Sequence, residues 1–166
     1  MNLLWNYFWP CLAAGLLVGV IAGTVAFRRP RRFNAALALG LFMSLGFAGL
    51  WHGPLGAADR FAMHVDRYAR EALDYYEMTK VTAHLHESPL TRRLILAGPA
   101  DDFQTSELAR LLSQLPGVSR AQWANRPAGM PLIVEAFGVA IGGFLSGLLL
   151  AYLVDLRRRY NAQWTW

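Results

Sequence analysis

The chain has 166 residues and a formal net charge of +5, with 55% hydrophobic but only 16% charged residues. That balance, with a positive mean hydropathy, excludes an ordinary soluble domain of this length, in which about a quarter of residues are charged. The single cysteine, Cys11, excludes an internal disulfide.

The apolar residues fall in three blocks, 3–27, 33–51 and 131–154. Each has the roughly 17 to 25 residues that a helix needs to cross a hydrocarbon core about 30 Å thick. No charged side chain lies between Asn2 and Arg28, and the third block holds only Glu135, in its first turn, where it is expected to reach the headgroup region. The first block lacks a basic start and is too long for a signal peptide's apolar stretch, so it is expected to stay as a span. Bulky Phe8, Trp9 and Pro10 precede Cys11, which favours a thiol in lipid over a lipoprotein anchor.

The positive charge is confined to two short segments. The loop after the first block carries Arg28, Arg29, Arg31 and Arg32, and the tail carries Arg157, Arg158 and Arg159 beside Asp155. From His52 to Met130 nine basic and nine acidic residues cancel. Excess arginine beside spans marks the cytoplasmic side, so both segments are expected there, with the N-terminus and residues 52–130 on the opposite side. A neutral middle region supplies no basic face for nucleic acid, so no nucleic-acid partner is expected. Trp5, Trp9, Trp51, Tyr152, Tyr160, Trp164 and Trp166 stand near span ends, as interfacial anchors do.

The middle region opens with an amphipathic pattern over 59–78, in which Phe61, Val65, Tyr68, Ala69, Ala72 and Tyr76 fall at helical spacing. Residues 80–86 then alternate, Val81, Ala83 and Leu85 opposing Thr82, His84 and His86, as a strand does. Ser88-Pro89 breaks this strand, and a second follows over 92–97 with Leu94 and Leu96 on one face, ended by Gly98-Pro99. Asp101 and Gln104 make a capping-box start for a helix whose stripe is Leu108, Leu111, Leu112 and Leu115. Pro116-Gly117 stops it, and 118–123 reads as a third strand.

This α-β-β-α-β order, with Leu94-Ile95-Leu96-Ala97-Gly98 ending a strand, the helix Phe103 to Leu115 and the lead-in Pro116-Gly117-Val118, resembles the BON domain over residues 67–123. BON domains are small modules of bacterial envelope proteins. The resemblance implies a non-catalytic module that attaches to lipid or envelope partners in a Gram-negative periplasm. Here it stands between spans, unlike the family's usual place after a signal peptide or lipid anchor.

The expected organisation is two membrane helices in 1–54 with a basic cytoplasmic loop at 28–32, a BON-like periplasmic αββαβ domain at 55–126, and a third span with a basic cytoplasmic tail in 127–166. The fold class is membrane α-helical plus a small α+β domain, in a bacterial inner membrane.

Few residues suggest chemistry. His84 and His86 share a strand face beside Glu87 but lack a third ligand nearby, and His52 is a single axial candidate for haem. No nucleophile with a base, phosphate loop or paired carboxylates is evident, so no enzyme, cofactor or metal is expected. The spans say more. Gly15, Gly19 and Gly23 form two overlapping GxxxG repeats, the third span adds Gly138 with Gly142 and Gly143 with Gly147, and the second adds Gly40, Ser44, Gly46 and Gly49. Small residues four apart let helix backbones approach closely, within the chain or with another subunit. The expectation is a scaffold or accessory subunit whose partners are other membrane proteins and lipids, with a homo-oligomer as a further option. The alternatives are an envelope-maintenance protein whose domain binds phospholipid or cell wall, and a metal or haem protein using His52, His84 or His86.

Overall fold

Each apolar block forms one helix, and the region between the second and third forms a small mixed domain. A computed structural model of the chain describes residues 3–123 and 129–163. In chain order the elements are α1 (Leu3–Arg28), a 3-10 turn (Pro30–Arg32), α2 (Phe33–His52), α3 (Ala57–Tyr75), β1 (Thr82–Glu87), β2 (Leu90–Ala97), α4 (Asp102–Leu112), β3 (Arg120–Trp123) and α5 (Leu132–Ala162). Among the described residues, three helical stretches are long and apolar enough to cross a membrane: Leu3–Arg28, Pro30–His52 and Leu132–Ala162. The last outruns its apolar block, because the tail continues as helix through Arg157–Arg159, supported by an i,i+4 pair from Arg159 Nε to Asp155 Oδ2 at 2.7 Å.

The chain divides into two compact units, one of Met1–Tyr7 with Gly56–Glu135, the other of Phe8–Leu55 with Ala136–Trp166. In the first, the strands lie in the order β1-β2-β3, with β1 antiparallel and β3 parallel to β2. The short hairpin at Ser88-Pro89 gives the antiparallel pair, and the α4 crossover gives the parallel one. The register sets Leu85, Leu94 and Ala121 in one row and Ala83, Leu96 and Trp123 in the next. Leu85, Leu94, Leu96 and Ala121 are buried, and Phe61, Val65, Ala69 and Leu73 of α3 with Leu108 and Leu112 of α4 complete this core. Burying a leucine fully is worth about 1.5 to 3 kcal/mol, so these side chains carry most of a small domain's stability.

The α3 face differs from the expected stripe. Tyr68 and Tyr76 are 38% and 43% exposed, while Leu73 is buried. The core follows the i+4 ridge 61-65-69-73, which leaves the tyrosines on its flank with their hydroxyls in reach of water. In α4 the capping box forms as expected, Gln104 N–H donating to Asp101 Oδ1 at 2.7 Å and Asp101 N–H to Gln104 Oε1 at 3.1 Å. Leu112 is fully buried but Leu111 is only half-buried. The helix is tied to β3 by Trp123 Nε1 donating to the Thr105 carbonyl at 2.8 Å and Ala121 N–H donating to Ser113 Oγ at 2.8 Å. Gly98, with φ +138°, turns the chain out of β2, and a Cβ there would meet the Lys80 carbonyl and Val81.

In the second unit, Cys11, Ala22, Ala26, Ser44, Ala48, Ala136, Ala140, Phe144 and Ala151 are buried, almost all of them small. Helices that present small residues to one another pack by backbone proximity, which is how membrane helices associate. Phe27 lies 5.7 Å from Tyr152 and 6.1 Å from Phe33, ring centre to ring centre, so an aromatic layer joins α1, α2 and α5.

Candidate functional site

The glycines sort into a closed seam and open positions. A Cβ on Gly15 would collide with the Ala140 carbonyl, and one on Gly19 with the Phe144 carbonyl. A Cβ on Gly23 would meet the Ala151 Cβ at 2.7 Å. From the facing helix, Gly143 and Gly147 stand in the same way against the Leu12 and Leu16 carbonyls. Gly15, Gly19, Gly23, Gly143 and Gly147 therefore form one α1–α5 seam. Gly40 closes α2 onto it, a Cβ there meeting Ala22 at 2.7 Å and the Phe144 ring at 2.9 Å. With Ser44 and Ala48 it makes a buried small-residue ridge on α2, of which Ala48 escaped the sequence reading. Alanine belongs to the same i+4 signal as glycine and serine.

Gly138 and Gly142 of α5, by contrast, have nothing within 4 Å of an added Cβ, and neither do Gly46 and Gly49 of α2. The two α5 pairs thus serve different surfaces, because positions 138 and 142 lie on another side of the helix from 143 and 147. Ser146 extends the open stripe by one more turn, its hydroxyl donating back to the Gly142 carbonyl at 2.8 Å.

The aromatic side chains expected at the span ends are largely exposed, with Trp5 at 55%, Trp9 at 48%, Tyr152 at 49% and Tyr160 at 60%, whereas Trp51 is half-buried and stacks on Phe47 at 6.4 Å. Trp164 and Trp166 lie outside the described residues. Arg28, Arg29, Arg31, Arg32, Arg157, Arg158 and Arg159 are all exposed.

In the α+β unit, Glu135 is held by an ion pair that the sequence reading did not anticipate. Its Oε2 accepts from Arg92 at 3.1 Å, with both side chains about three-quarters buried, at 23% and 24% exposed. The same arginine donates through Nε to the Gly117 carbonyl at 3.1 Å. Asp66 of α3 accepts the Leu85 N–H of β1 at 3.1 Å. Burial pushes the Asp66 carboxyl above its usual range, an effect that this hydrogen bond and the nearby His84 and Arg70 oppose and Glu87 reinforces. His86 is turned to the Pro89 carbonyl, Nδ1 to O 3.0 Å, and His84 lines a shallow pocket with Arg70, Asp74, Thr79 and Thr82. His52 closes α2. Among the described residues no three His, Cys, Asp or Glu side chains come together as metal ligands do.

These features define a membrane protein, mostly helical, with three long apolar helices and a small three-stranded α+β domain. Compared with models of known families, with curated proteins and with solved structures, the chain matches none.

Proposed function

We propose that this chain is a non-catalytic scaffold or accessory subunit of a protein complex in a bacterial inner membrane. In this reading its αββαβ domain, BON-like by resemblance, serves as the docking module on the periplasmic side. The observation that carries the reading is the two open glycine pairs, Gly138 and Gly142 on α5 and Gly46 and Gly49 on α2, left over after the internal seam is closed. Glycine offers acyl chains almost no side-chain surface, whereas it lets another helix approach to backbone contact. The arginine distribution supports the orientation, with N-terminus and domain periplasmic and C-terminus cytoplasmic.

The test is co-purification in mild detergent, followed by native mass measurement, of the wild type, Gly19→Leu and Gly142→Leu. Leucine is the better helix former by roughly 0.5 to 1 kcal/mol, so propensity alone would favour both changes. Gly19→Leu should nevertheless lower the thermal stability of the isolated protein, because it breaks the α1–α5 seam. Gly142→Leu should leave that stability intact and abolish association with larger proteins in fixed ratio. A wild type that purifies alone would refute the accessory role and leave an envelope-maintenance protein as the better reading. Self-association lost in Gly142→Leu would make the partner a second copy.

A further inference from the structure

The helical unit carries all its charge at one end. Its charged residues are seven arginines, Arg28, Arg29, Arg31, Arg32, Arg157, Arg158 and Arg159, and one acid, Asp155. The end of α1 and the late part of α5 stand at the same level, since Thr24, Phe27 and Arg28 line a small notch with Ala151, Val154, Asp155 and Arg158. The α1–α2 turn belongs to the same level through the aromatic layer of Phe27, Phe33 and Tyr152. Arg29, Pro30, Arg31 and Arg32 form an open concavity there.

Asp155 is tied to Arg159 at 2.7 Å, so its charge is matched by that arginine. The other six arginines form no ion pair among the described residues, and Arg28, Arg29, Arg31 and Arg32 are exposed. Six uncompensated guanidiniums around one end of a helical unit repel one another, and they need anions. Each presents a planar fork of donors that matches a phosphate oxygen pair. Directly below lies an aromatic layer, the surface that meets the glycerol and upper acyl region of a lipid. Free phosphate would use the forks alone, whereas a phospholipid uses both layers.

We propose that this arginine collar is a binding surface for anionic phospholipid, the phosphodiester headgroups resting on Arg28, Arg29, Arg31, Arg32 and Arg158 and the glycerol region on Phe27, Phe33 and Tyr152. The inference rests on the reading of the helices as membrane spans, but not on which side the collar faces. It is separate from the lipid binding that the BON resemblance implies for the α+β unit. Each arginine near the headgroup plane contributes a preference of about fivefold, about 1 kcal/mol, for a lipid of net negative charge.

The test uses the full chain, purified in detergent and reconstituted into vesicles of phosphatidylcholine mixed with an equal amount of phosphatidylglycerol. After flotation and re-extraction in mild detergent, mass spectrometry counts the lipids retained on the protein. Phosphatidylglycerol should be retained at least about fivefold over phosphatidylcholine at low salt. The enrichment should fall at 1 M salt, where the screening length drops to about 3 Å. It should fall at least about fivefold in the triple variant Arg29→Gln, Arg31→Gln, Arg32→Gln, and persist in Arg67→Gln with Arg70→Gln on the α+β unit. Equal retention of the two lipids by the wild type, or undiminished enrichment in the triple variant, would overturn the collar. Failure to float with the vesicles would overturn the spanning reading itself, and the collar with it.

Discussion

Asp66 and Glu135 are the two acids whose surroundings differ most from what their neighbours in the chain suggest. Asp66 sits amid Arg67, Arg70 and Glu71 on a helix that reads as a solvated face, yet it holds the Leu85 N–H and is half-buried. Its partner is 19 residues away and Arg92 is 43 residues from Glu135, so neither pairing leaves a trace in local periodicity. Because burial raises the folded-state pKa of Asp66, the folded protein holds that proton more tightly than the unfolded chain does. Its contribution to stability is therefore greatest below about pH 4, the ordinary carboxylate value, and declines as pH rises through the raised folded pKa. Asp66→Asn keeps an oxygen acceptor for Leu85 and removes the charge. It should match or exceed the wild type in stability at pH 7 and lose this part of the pH dependence. Asp66→Ala leaves the Leu85 N–H without its partner and should cost about 1 to 3 kcal/mol, with faster amide exchange over residues 82–87. Equal exchange there in Asp66→Ala would show that the hydrogen bond contributes nothing.

Among the elements, the helices and strands were largely readable because each is bounded by chemistry with a local cause. Asp101 with Gln104 starts α4, and Gly98-Pro99 ends β2. Which side of an element meets the core was less readable. A stripe drawn through Leu108, Leu111, Leu112 and Leu115 is wider than the surface that the sheet can cover, and the structure buries only Leu108 and Leu112 completely. Leu112→Ala should cost about 2 to 5 kcal/mol, approaching the full stability of so small a domain, and should expose 57–123 to protease. Leu111→Ala, at a half-buried position, should cost markedly less. Comparable protease sensitivity in the two variants would mean that α4 is rotated from the orientation described.

At the scale of the whole molecule, length, hydropathy and charge announced three membrane-length helices and a small domain between them, since those signals are summed over many residues. The division of the glycines was not legible. The GxxxG spacing is the same for Gly138 with Gly142 as for Gly143 with Gly147, and only the helix phase separates the open pair from the seam. The orientation is a prediction for the intact chain. A reporter active only outside the cytoplasm should function when fused after Gly98 and stay inactive after Arg32 or Arg159, because arginine-rich short loops resist translocation. The reverse pattern would overturn the orientation, though not the existence of the spans.

The hydrogen bond between Leu85 and Asp66 has a consequence for strand addition. β1 is an outer strand, and an outer strand with free backbone donors is a template on which another chain's strand can add. Here one of the donors is already occupied from within the molecule by a side chain of α3. That contact takes one backbone donor out of the row to which a further strand could add.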